Sequence, residues 1–281
     1  MIECMSKKEK FKEMKLACAV TTYETPSGPI IFRDGKLKEN IKLMKKYGFC
    51  GMDLFIKKTG KEKLREYRKL LEDNDMRVAT LFAIYLGENG VKLTDPDPNH
   101  IARFIDLMKE QLDNAKEIGA LGLGLGYIRG CYYENETEKE ALKRLAEVLH
   151  VLGDYADEIG TKILLEPINR YEINTLNRAV DAVDFIKNNH LKGIDLQLDM
   201  FHMNIEDSSI FSAIKYAKGM IGNLHISSSN RHAVGTGHFD FPKIIACLKE
   251  NAYDGFLTLE AFSDNPEETL KMTSEHLQKY L

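Results

Sequence analysis

Short apolar runs alternate with longer stretches of helical periodicity along almost the whole chain. KLACAV at 15–20, GMDLFI at 51–56, RVATLFAIY at 77–85 and ALGLGLG at 120–126 are the first four runs. TKILLEP at 161–167, IDLQLDM at 194–200, IGNLHIS at 221–227 and GFLTLEA at 255–261 complete the series. Each has the length and aliphatic content of a buried strand. Between them the apolar spacing lengthens to that of a helix. In LKENIKLMKKYG at 37–48, Ile41, Leu43, Met44 and Tyr47 lie mostly on one face and Gly48 ends the pattern. Further helices are predicted over 61–74, 99–119, 137–160, 177–189, 210–219, 242–253 and 266–281. Pro242 opens one of them, where a missing amide costs no hydrogen bond.

Eight strand–helix units in 281 residues predict an α/β fold, a (β/α)₈ TIM barrel. The rival is a doubly wound open sheet. Its nucleotide fingerprint is absent: LGLGLGYIRG is not a GxGxxG opening a helix near the N-terminus with an acid further on. No organic cofactor is therefore expected. Glycines within the fourth strand point instead to close backbone packing or ligand approach. No linker or low-complexity segment divides the chain, so residues 1–281 read as one barrel domain, with 1–14 as an N-terminal extension.

Composition narrows the partners. With 43% hydrophobic and 29% charged residues the chain is of globular type, and its net charge of -4 disfavours a duplex nucleic acid. Cys4, Cys18, Cys50, Cys131 and Cys247 form no CxxC pair, and an odd count suits a reducing compartment, where each is expected to be a small buried hydrophobe or a spectator rather than a nucleophile. MIECMSKKEKFKEMK lacks the apolar core of a secretory signal, and no run reaches membrane-spanning length. A cytoplasmic protein without membrane contact is expected.

A barrel carries its catalytic groups at the C-terminal ends of its strands. Four consecutive strands end there on a polar residue: Glu166 in LLEP, Asp199 in LQLDM, His225 in NLHIS and Glu260 in LTLEA. One such residue could be a helix cap or a solvated strand end. Four on strands roughly 5 Å apart can converge on one ion. Three carboxylates and an imidazole suit Mn²⁺ or Mg²⁺, with Co²⁺ or Zn²⁺ as alternatives. Such an ion could hold the carbonyl and neighbouring hydroxyl of a sugar and stabilise the enediolate left when the α-proton departs. Glu166 and Glu260, three strands apart, could then flank the reacting carbon. His202 is either a contact to a substrate oxygen or a loop histidine paired with Glu206 or Asp207. Glu172 is either a hydroxyl acceptor or the partner of Arg170.

The segments LLEPINRYE, LDMFHMNIED, HISSSNRHAVGTGHFDF and LTLEAF closely resemble the D-tagatose 3-epimerase-like ketose epimerases, within the xylose-isomerase-like barrels. The likeness is strongest over 163–262. It implies that Glu166, Asp199, His225 and Glu260 bind one divalent cation, often Mn²⁺, and that Glu166 and Glu260 are the acid–base pair on opposite faces of C3. It implies that Glu172, His202 and Arg231 contact the sugar, and that the protein is a homodimer or homotetramer. Some similar enzymes act on keto acids such as 5-keto-L-gluconate, and NRHAVGTGHFDF resembles that branch as well. Arg129 and Arg231 are candidates to clamp a carboxylate, although Arg129 could instead pair with Glu134 or Glu136. A free, neutral ketose is the preferred substrate and a keto sugar acid the alternative. An aldose–ketose isomerase, a metal-dependent phosphodiesterase and a non-catalytic sugar-binding barrel are the rivals. His232 and His238 are weaker candidates that could only shape their loop, where Gly235 and Gly237 supply backbone freedom.

Overall fold

A computed structural model describes residues 13–88 and 90–281. The expected extension over 1–14 lies outside the described residues except for its last two, and Met14 already packs into the core. Eight parallel strands close in chain order: β1 (Lys15–Thr21), β2 (Phe49–Phe55), β3 (Arg77–Phe82), β4 (Gly122–Leu125), β5 (Ile163–Leu165), β6 (Ile194–Asp199), β7 (Ile221–Ile226) and β8 (Phe256–Leu259). β8 returns to β1 through the register Lys15↔Phe256 to Cys18↔Leu259. The closed barrel replaces the open-sheet alternative.

The helices crossing between strands are α1 (Leu37–Lys46), α2 (Lys61–Glu72), α3 (Pro98–Ile118), α4 (Glu138–Ile159), α5 (Ala179–Asn188), α6 (Met200–Glu206), α7 (Ile210–Tyr216), α8 (Phe241–Glu250) and α9 (Pro266–Leu277). Their ends follow local chemistry. Asp97 caps α3 ahead of Pro98, and Thr137 with Glu140 forms a reciprocal capping box on α4. From β3 onward the strands are shorter than the apolar runs. The run at 77–85 leaves the barrel after Phe82 and coils into a 3₁₀ turn, Ile84–Gly87, closed by Leu86 N–H to Ala83 O. α6 has no counterpart among the expected helices. At seven residues it is too short to display a period, and it starts because the Asp199 side chain caps Phe201 N–H at 2.7 Å.

Side chains alternate across each strand. Outward residues meet the helices in the main core, so both faces are buried. Inward residues form layers. Ala17, Ala79 and Phe256 fill the bottom. Here Gly51 must lack a side chain, because a Cβ would lie 2.3 Å from the Phe256 ring. Asp53, Thr80, Gln197, Asn223 and Thr258 form a polar middle layer with no solvent exposure. Above it, at the C-terminal mouth, Ala19, Ile30, Phe55 and Phe82 pack on one side. Glu166, Asp199, His225 and Glu260 occupy the other. Among the described residues, no helix is long and apolar enough to cross a membrane.

Candidate metal centre

Register brings the four strand-end residues together. Asp199 lies beside His225, and His225 beside Thr258, two residues before Glu260. Glu166 and Glu260 fall just beyond their strands, yet each backbone N–H still bonds the neighbouring strand, to Leu125 O (3.1 Å) and Ile226 O (3.0 Å). Both backbones are thereby fixed where the side chains turn inward. His225 Nδ1 lies 3.5 Å from Glu166 Oε1 and 3.6 Å from Glu260 Oε2. Asp199, His225 and Glu260 each bring a ligand atom within 4.8 Å of the others, as do Glu166, Asp199 and His202.

The residue that aims His225 is not legible as functional in the sequence. Asp53, in the middle of β2, accepts from His225 Nε2 at 2.6 Å, from Asn223 Nδ2 at 3.0 Å, from Thr80 N–H at 3.1 Å and from Gln197 Nε2 at 3.2 Å. Gln197 Nε2 also contacts His225 Nε2. Thr258 Oγ1 donates to Asn223 Oδ1 at 3.0 Å and closes the layer. A local trace exists, an acid within the apolar run GMDLFI in a strand buried on both faces, but it does not say what the acid does.

Around the quartet, Arg231 Nη2 donates to Glu260 Oε2 at 2.8 Å and lies 3.5 Å from Asp199 Oδ2. Its Nη1 lies 3.6 Å from Glu172 Oε1, and its guanidinium stacks 4.5 Å from the centre of the Phe201 ring. The Arg231 backbone has φ 58°, a left-handed value that a non-glycine residue adopts at some cost. His202 is buried at the centre, 3.5 Å from Asp199 Oδ2, with Asn169 Nδ2 2.8 Å from its Nδ1. It does not pair with Glu206 or Asp207: Glu206 accepts from Arg170 at 2.8 Å, and Asp207 lies 3.4 Å from Ala179 N. The same contact removes Arg170 as the partner of Glu172, which accepts from Asn169 Nδ2 at 2.9 Å.

Glu166, Glu172, His202, Arg231 and Glu260 line one wall of a cavity of about 410 Å³. The other wall comes from the first half of the chain and is mainly apolar: Pro29, Phe55, Phe82, Ile84, Tyr127 and Ile128, with Glu88 as its acid. Gly126 forms part of the floor, where a Cβ would come within 2.7 Å of Glu166 Oε2.

Arg129 corrects an expectation. It is fully buried, does not line the cavity and pairs with neither Glu134 nor Glu136. Its guanidinium donates to the backbone carbonyls of Glu166 (2.7 Å), Thr175 (2.6 Å), Gly126 (3.3 Å) and Leu176 (3.3 Å). It staples the loops after β4 and β5, and its burial outside the cavity keeps it from a substrate carboxylate. His232 and His238 also stand apart from the centre, against Phe262 O (3.2 Å) and Ser229 Oγ (2.9 Å). Gly235 supplies a left-handed turn at φ 94°, whereas Gly237 is needed for close approach to Ser229.

The electrostatics call for a cation. Asp53, Glu166, Asp199 and Glu260 converge here against Arg231 and, behind Glu166, Arg129. Burial raises Asp199 to about 6 and raises Glu166 above the usual carboxylate range. Burial also pushes Glu260 upward, but the charges of His225 and Arg231 outweigh it and the net direction is down. Burial lowers His225, yet Glu260, Asp53 and Glu166 drive it well above an ordinary imidazole. Without another cation, His225 itself would carry the balancing charge. Asp199 Oδ2 and His225 Nδ1 are buried without hydrogen-bond partners. An oxygen-rich set with one imidazole, two orphan ligand atoms and excess negative charge fits a divalent cation.

Residues 41–280 match the family model of the xylose isomerase-like TIM barrel. Over 172 residues the chain is 32% identical to an L-ribulose 3-epimerase of Methylomonas sp. (strain DH-1), a match covering 61% of this chain and 60% of that protein. Over 210 residues it is 30% identical to a D-psicose 3-epimerase of Enterocloster bolteae, covering 73% and 68% respectively. The chain thus spans about three fifths to two thirds of the length of these curated relatives. A solved L-ribulose 3-epimerase structure superimposes with a TM-score of 0.80 at 23% identity, over 95% of this chain and 94% of that one. The chain belongs to the xylose isomerase-like TIM barrel family and is related, within it, to the ketose 3-epimerases.

Proposed function

We propose that the protein is a metal-dependent epimerase that inverts the hydroxyl-bearing carbon next to the ketone of a free ketose. The observation that carries this reading is the pair Glu166 and Glu260. They reach the same His225 Nδ1 from β5 and β8, within 3.5 and 3.6 Å, at the floor of a cavity of about 410 Å³. The relatives named for 3-epimerisation of L-ribulose and D-psicose support the same chemistry.

Glu166, Asp199, His225 and Glu260 would hold the cation. Bound there, it would polarise the ketone and stabilise negative charge on its oxygen. The chain's own residues account for the proton. One glutamate, ionised, takes it from C3 on one face, and the other, present as the carboxylic acid, gives its own proton to C3 on the opposite face. Arg231 fixes the Glu260 carboxylate with its 2.8 Å bond. His202, Arg231 and Glu172 contact the sugar oxygens, while Phe55, Phe82 and Ile84 exclude water beside the reacting carbon. The oxygen-rich donor set favours Mn²⁺. The single barrel domain would act as a cytoplasmic homodimer or homotetramer, in line with the resemblance of its motifs.

A neutral ketose suits the cavity better than a keto acid. Arg231 is its one lining cation among the described residues and is already surrounded by Glu172, Asp199 and Glu260. Arg129 is turned away. The test is a substrate panel at one Mn²⁺ concentration: fructose, psicose, tagatose, sorbose, ribulose, xylulose and 5-keto-L-gluconate. At least one neutral ketose should turn over fastest. A faster keto acid would overturn the substrate class, and aldose products would replace epimerisation by isomerisation.

A further inference from the structure

Two buried imidazoles reach the same carboxylates, and spacing alone would let either ligate a cation. Their backing differs. His225 is backed by a carboxylate: its Nε2 lies 2.6 Å from Asp53 Oδ2, which can only accept, so Nε2 takes the hydrogen although Gln197 Nε2 also touches it, and the Nδ1 lone pair faces Glu166 and Glu260. His202 is backed by a donor. Asn169 Nδ2 lies 2.8 Å from His202 Nδ1. The orientation of the Asn169 amide follows from its other bonds. Its Oδ1 accepts the Tyr171 backbone N–H at 3.0 Å, and Nδ2 donates its second hydrogen to Glu172 Oε1 at 2.9 Å. Asn169 is 2% exposed and its contact with His202 is buried, so water does not compete for that bond.

We infer that Asn169 is a positioning residue that withdraws His202 from the metal and makes it a hydrogen-bond donor to the substrate. A ring nitrogen that accepts an N–H carries no hydrogen itself. The hydrogen of the neutral ring is then on Nε2, the nitrogen 3.5 Å from Asp199 Oδ2. A protonated nitrogen has no lone pair for a cation. Both histidines are therefore the same tautomer in opposite orientations: His225 turns its lone pair to the centre, and His202 turns its N–H. The same amide also holds Glu172, so one buried side chain sets two of the groups assigned to the sugar. The role toward substrate rests on the epimerase reading; the tautomer and the exclusion from the metal do not.

The experiment is nitrogen-15 NMR of histidine-labelled protein loaded with diamagnetic Mg²⁺, with the His202 signals identified by their loss in His202→Gln. The expected result is a pyridine-type Nδ1 and a pyrrole-type Nε2 for His202. In Asn169→Asp the carboxylate still accepts from Tyr171 but offers His202 no hydrogen. Nδ1 should then become the protonated nitrogen, and kcat/KM on the best ketose of the panel should fall roughly ten- to hundredfold. A protonated Nδ1 in the wild-type protein, or an unchanged tautomer in the folded variant, would overturn the inference. Wild-type spectra decide the matter even if the variant fails to fold. The expected tautomers in a protein that turns over no sugar would refute the epimerase reading and leave the assignment of Asn169 standing.

Discussion

Replacing Asp53 by Asn should loosen the candidate metal centre without touching any of its four proposed ligands. The native carboxylate accepts from four groups: His225 Nε2, Asn223 Nδ2, Thr80 N–H and Gln197 Nε2. Asparagine keeps one acceptor oxygen and turns an NH₂ toward donors on its other side. With the NH₂ toward His225, either two N–H groups oppose each other or the ring moves its hydrogen to Nδ1 and loses its ligating lone pair. With the NH₂ toward Thr80 and Asn223, the conflict falls on the barrel's middle layer. A buried donor left unmatched costs about 1–3 kcal/mol. The corresponding loss at a residue backing a metal ligand is about 10–100-fold in affinity, an equal range on a scale of about 1.4 kcal/mol per decade. Calorimetric titration of chelator-stripped protein should therefore show Mn²⁺ Kd weakened about 10–100-fold. Scanning calorimetry should show a Tm lowered by roughly 3–10 °C. A Kd within twofold of wild type, at unchanged Tm, would refute the claim that Asp53 orients His225.

Gly126→Ala should push Glu166 aside, because the new methyl would lie 2.7 Å from Oε2. A misplaced acid–base group can cost up to about 100-fold, so kcat should fall by roughly ten- to hundredfold, and wild-type turnover would contradict the role given to the floor. Arg129→Met should leave the carbonyls of Glu166, Thr175 and Leu176 without their guanidinium donor, while Gly126 O keeps the backbone N–H of residue 129, costing at least about 3 kcal/mol and lowering Tm by about 6–12 °C. It should not alter preference between a neutral ketose and a keto acid; a selective loss of keto-acid turnover would restore Arg129 as a substrate contact. Asp207→Asn tests pH dependence. Burial raises Asp207 to about 6, so its contribution to stability is present below the unfolded value of about 4 and is lost as pH rises through about 6. The Tm of the variant minus that of the wild type should rise between pH 4 and 6 and then level off, whereas a flat difference would contradict this.

The candidate metal centre was readable because each proposed ligand ends an apolar run, where a change from apolar to charged marks the mouth of a barrel. The polar layer beneath it was not. Asp53, Gln197, Asn223 and Thr258 occupy inward positions of strands whose outward faces are also buried, so the alternation that would expose them is masked by apolar neighbours. Arg129 precedes Gly130 in GYIRG and looked like a loop cation. Its burial depends on carbonyls of residues 166, 175 and 176, far along the chain, which no local pattern reports. Asn169 lay inside EPINRYE, where Glu166, Arg170 and Glu172 carry the visible charge. Its importance comes from one amide reaching Glu172, Tyr171 and His202 at once.

The central claim is that Glu166 and Glu260 move a proton at the carbon next to a ketone. Incubation in deuterated water with Mn²⁺ and the best ketose of the panel, followed by NMR of the sugar, tests this most directly. The account predicts solvent deuterium at C3 together with the inverted sugar, and no label with Glu260→Gln despite a native fold. Absence of label from every ketose and keto acid tried, or undiminished labelling by Glu260→Gln, would contradict it.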